Sequence, residues 1–136
     1  MPHTTSETIA ARIENLYGQP IAALEAHADT HPAGTMLAAL TSSHSDLQLA
    51  ERNITFQLQR LRELLNPARE IGKFEAGHLL DCARRIAESV ATRDAHAKTV
   101  SAVLASLHRT PAPSTAADLT ASVPPRPTEP AATHTR

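Results

Sequence analysis

Two apolar patterns of nearly equal length face each other across a single break, and together they leave few folds open to this chain. The first runs Leu37, Leu40, His44, Leu47, Glu51, Ile54, Leu58, Leu61, Leu65 in steps of three and four. The second runs Leu79, Ala83, Ile86, Val90, Arg93, Ala97, Val100, Leu104, Leu107 in the same steps. Such steps hold one stripe on one side of a helix, whereas in a strand they would scatter over both faces. Asn66-Pro67 and a loosened Gly72 to Gly77 segment interrupt the pattern between the two runs. A short connection makes antiparallel neighbours of consecutive helices. Residues 32–108 are therefore expected to form a long helical hairpin, folded about residues 66–76.

That fold implies a register. Leu61 comes opposite Leu79, Leu58 opposite Ala83 and Ile54 opposite Ile86, while Leu40 meets Val100 and Leu37 meets Leu104. Glu51 and Arg93 interrupt the two stripes at about the same level, so either an ion pair between them or two side chains snorkelling to water is expected. The polar run Thr41-Ser42-Ser43-His44-Ser45-Asp46 weakens the first long helix, because hydroxyls and Asp compete for backbone hydrogen bonds. The stripe keeps its phase from Leu40 to Leu47, which favours one continuous helix. Asp81 with Arg85 and Asp94 with Lys98 have the acid-first spacing that supports a solvent-facing helix surface.

Residues 1–31 read as two short helices. Thr4, Thr5 and Ser6 offer capping oxygens with Glu7 in the first turn, and Ile9, Ile13, Leu16 and Tyr17 share a face up to Gly18. Pro20 opens the second piece, Ile21 and Leu24 give it a narrow stripe, and His31-Pro32 stops it. Helices this short are marginal alone, so their apolar faces need the hairpin. Residues 109–136 change character, with six prolines among Ala, Thr and Ser and only Leu119 and Val123 as sizeable apolar side chains. Such a segment cannot bury enough surface to offset its ordering entropy, and a disordered tail is expected. The expected class is all-α: a long antiparallel hairpin carrying two short N-terminal helices, a three- to four-helix bundle.

Composition removes several functions. Residues 1–31 carry one Arg against four acids, and the remainder is close to balanced, so the basic face of a nucleic-acid binder is missing. Tyr17, Phe56 and Phe74 are the sole aromatics, too few for a base-stacking platform. The lone Cys82 excludes an internal disulfide and fits a reducing compartment. With no membrane span and no leader pattern, a cytoplasmic location is expected.

Candidate sites are few. His27, Asp29 and His31 have the spacing at which two imidazoles share a metal on an intact helix, but Pro32 opposes helical geometry at His31. His44 and His96 fall within reach of each other in the expected register. His78 lies one turn before Cys82 with Asp81 beside it, yet no third group orients a nucleophile there. Arg60, Arg62, Arg69, Lys73, Arg84 and Arg85 at the hairpin tip exceed the local acids by two, which a mixed solvent surface explains. Gly72 and Gly77 fit no phosphate-binding loop. No catalytic, cofactor-binding or metal residues are therefore assigned and no cofactor is expected. The expected function is a non-enzymatic helical protein–protein interaction module that self-associates through its apolar stripes, with a protein or a second copy as partner and without nucleic acid or membrane. The alternative is a small metal- or nucleic-acid-associated regulator using its histidines or the Arg-rich tip.

Overall fold

Each helix begins and ends where its local chemistry dictates. The computed structural model describes residues 4–31 and 34–107, which form α1 (Ser6–Tyr17), α2 (Ile21–Thr30), α3 (Met36–Leu64) and α4 (Lys73–Ser106). No strand occurs among the described residues. The expected disordered tail at 109–136 and the helix-stopping Pro32 lie outside them. Thr5 caps α1, its Oγ1 accepting the Thr8 N–H at 3.2 Å, and Gly18 closes the helix in the left-handed region at φ 71°. Glycine reaches that conformation without the Cβ penalty, which is why α1 stops there. The Ile21 N–H then donates to Glu14 Oε1 at 3.0 Å, so α1 itself satisfies the start of α2.

α3 is unbroken. Thr41 Oγ1 donates back to the carbonyls of Leu37 and Ala38 at 3.0 and 3.1 Å, which disposes of the hydroxyl without breaking the backbone ladder. The connection is shorter than the glycines suggest. α4 starts at Lys73 because the Glu75 carboxylate turns back to accept the Gly72 N–H at 3.1 Å, a capping-box contact. Gly77 is thus inside the helix, and a Cβ added there meets nothing within 4 Å. Gly77→Ala should stabilise the protein by about 0.5–1 kcal/mol by removing glycine's conformational entropy. A thermal melt checks this, and a lower melting temperature would contradict helical geometry at that position.

α3 and α4 form the expected antiparallel hairpin, and α1 lies across both of them while α2 packs on α3 and α1. Ile9 and Ile13 from α1, Leu24 from α2, Leu40 and Leu47 from α3, and Ala97, Val100 and Leu104 from α4 make one buried cluster. All of these α3 and α4 residues lie toward the base of the hairpin, the end away from the 65–72 connection. Val100 and Leu104 are buried in one cluster with Leu40, but toward the tip the burial expected of Leu58 and Ala83 does not occur. Leu58 and Ala83 are exposed, whereas Cys82 and Leu64 are buried. The reason is that the apparent single stripe of α3 is two stripes. Leu47, Ala50, Ile54, Leu61 and Leu64 follow the α4 side. His44, Glu51, Leu58 and Leu65 follow a flank that is covered only as far as α1 and α2 extend.

Candidate functional site

The step where α1 begins divides the hairpin into a covered base and a bare tip. Its geometry is set by Glu51. The carboxylate accepts the Ser6 N–H through Oε1 at 2.8 Å and the Ser6 hydroxyl through Oε2. An anion at a helix N-terminus meets free N–H groups and the positive end of the peptide dipoles, so Glu51 anchors α1 halfway along α3. This replaces the expected Glu51–Arg93 ion pair. Arg93 borders the same groove as Ser6 and Glu51, but its Nε donates to the adjacent Asp94 at 2.9 Å. Asp94 is consequently taken by Arg93 and not by Lys98, which has no ion pair among the described residues.

Beyond that step the hairpin is two helices with apolar side chains in water. Phe74 is 83% exposed, Leu80 73%, Phe56 62% and Leu58 36%, and Leu65 and Ile71 at the connection are exposed as well. By contrast Ile9, Ile13 and Leu47 in the base are fully buried, and of its described large apolar side chains Met36 and Leu49 are the exposed ones, at 48% and 51%. Scattered exposed leucines need no explanation, but six of the eight large apolar side chains exposed among the described residues lie beyond the step. Reading the stripes alone missed Phe56, Phe74 and Leu80. Their signal was that large apolar residues stand off the stripe near the connection. Asp81 sits among them and accepts from Arg84 Nη2 at 2.8 Å and Arg85 Nε at 2.9 Å. Those hydrogen bonds, Arg84's first, hold its carboxyl below the usual range. The contribution is therefore present above the ordinary Asp range and is lost on strong acidification.

The histidines do not converge. The His27 and His31 rings stack with centroids 3.8 Å apart, and His31 Nδ1 donates to the His27 carbonyl at 2.7 Å, so that nitrogen is already engaged. His31 is the C-cap of α2 with extended backbone, as a residue preceding proline prefers. His44 is buried with Nδ1 3.3 Å from Glu25 Oε1 and Nε2 without a partner. His96 instead borders the groove of Asp46, Leu49 and Asn53. Cys82 is a buried free thiol and His78 is exposed. Among the described residues no three His, Cys, Asp or Glu side chains cluster as metal ligands, and no helix is long and apolar enough to cross a membrane. An imidazole nitrogen buried without a partner costs stability. His44→Leu should accordingly be neutral or stabilising by up to about 1 kcal/mol, and denaturant unfolding that shows a loss above that size would reveal a required partner for Nε2.

The fold and the step define a small all-α bundle with a covered base and a bare hairpin tip. The chain matches no family model, no curated protein and no solved structure.

Proposed function

We propose that the protein is a non-enzymatic, cytoplasmic helical interaction module that self-associates through the tip half of its hairpin. The observation that carries this reading is the contrast between the two halves: one continuous hairpin, with α1 and α2 packed over the core of its base and its tip bearing Phe56, Leu58, Phe74 and Leu80 in water. Hiding such side chains is favourable by about 25 cal/mol per Å² of apolar surface removed from water.

Light scattering on the full chain tests the reading. The expected mass is twice 14.6 kDa at micromolar concentration, returning to that of one chain when Leu58 and Leu65, on one flank of the tip, are replaced by Asp. A single-chain mass for the unaltered protein at every concentration would overturn it.

A further inference from the structure

Resting on that reading, the distribution of charge says how two copies meet. Residues 4–51 contain one basic residue, Arg12, against the acids Glu7, Glu14, Glu25, Asp29, Asp46 and Glu51. Residues 52–93, the tip half of α3 and α4 with their connection, carry eight basic residues against five acidic. Among the described residues the charge is therefore divided along the hairpin, with an acidic, four-helix base and a basic, two-helix tip. At the tip, Arg52, Arg60 and Arg62 make no ion pair among the described residues, while the carboxylate of Asp81 is already occupied by Arg84 and Arg85. At the base, Glu7 and Asp29 are exposed and likewise make no ion pair among the described residues.

Shape follows the same division. α1 lies on the groove between α3 and α4 in the base and stops at Ser6, held by Glu51. Past that point the groove's α3 wall continues as Leu58 and Leu65, while Ala83 is exposed on α4, with no third helix above them among the described residues. One half of this face is raised by a helix layer and the other is lower by the same thickness. The exposed surface of α1 and α2 sets Ala11, Ala22, Ala23 and Ala26 among the polar side chains of Glu7, Asn15 and Asp29.

We propose that two copies associate antiparallel about a two-fold axis at the step, so that the α1–α2 layer of each covers the bare tip half of the other. The two-fold makes both contacts equivalent and closes the assembly. It sets an acidic raised half on a basic lowered half twice over. The other symmetric choice, tip against tip, stacks the surplus positive charge of one copy on that of its partner and leaves the steps unfilled. Opposite charge at an interface rim speeds association and fixes orientation, and salt weakens it.

The experiment combines mass, distance and charge reversal in the full chain. A nitroxide is placed in the connection by Ala68→Cys in a Cys82→Ala background. α4 has 34 residues, so antiparallel copies hold the two labels about 50 Å apart at 1.5 Å per residue. Arg60→Glu with Arg62→Glu, or Glu7→Lys with Asp29→Lys, should each weaken the dimer at least about tenfold in low salt. Mixing the two variants should restore it, because in the mixed dimer each contact again joins opposite charges. Label separation under about 25 Å at that helical rise, or a dimer indifferent to both reversals, would overturn this arrangement while leaving self-association intact. A single-chain mass throughout would remove both together.

Discussion

Leu47→Ala should lower the unfolding free energy by about 3–4 kcal/mol, the largest loss expected from any single core substitution here. Leu47 is fully buried in the cluster where Ile9 and Ile13 of α1 meet Val100 and Leu104 of α4. Shortening it removes transfer free energy and leaves a cavity that three helices border, and their mutual packing limits collapse. The same truncation one and a half heptads on, at Leu58, should cost about 1 kcal/mol or less in the single chain, because that side chain is 36% exposed. Urea unfolding of both variants measures the difference. Equal losses at Leu47 and Leu58 would mean that the tip is as well packed as the base.

The second large effect belongs to Glu51. Removing its carboxylate takes two charge-assisted hydrogen bonds from Ser6 and the anion from the start of α1, and should cost about 2 kcal/mol. Ser6→Ala removes only the hydroxyl contact and should cost about 1 kcal/mol. A double-mutant cycle separates the partners of Glu51. Ser6→Ala with Glu51→Leu should show coupling above about 0.5 kcal/mol, and Arg93→Leu with Glu51→Leu should be additive within that amount. The reverse result would restore the ion pair that the stripes suggest and would release α1 from the step.

These two sites show what a sequence yields and where it stops. The four helices were legible because their signals are local: the three–four spacing of Leu40, Leu47, Ile54 and Leu61, the Thr5 cap, and the Gly18 stop in the left-handed region. The start of α4 was legible too, but in Glu75 rather than in the glycines. A Glu three residues after the cap outweighs one interior Gly77, whose cost is about 1 kcal/mol. Other features were hidden for a different reason. Leu58 and His44 occupy equivalent heptad positions, yet His44 is buried and Leu58 is not. Their difference depends on how far α1 and α2 reach, which no local pattern records. Glu51 finds Ser6 across 45 residues, and its nearest sequence-level suitor was simply the opposite charge at the same level of the hairpin. The bare tip became visible only when the covered half had been assigned.

Amide hydrogen exchange followed as a function of protein concentration bears most directly on the division between base and tip. Exchange reports local opening, and association protects whatever surface it covers. Amides of α1, the α3 stretch 40–50 and the α4 stretch 97–104 should be strongly protected at every concentration. Amides of 54–64 and 74–90 should exchange fast when the protein is dilute and slow by about tenfold or more as copies associate. Tip amides as protected as the base at the lowest concentration, or protection that never changes with concentration, would contradict a packed base carrying an open, self-associating tip.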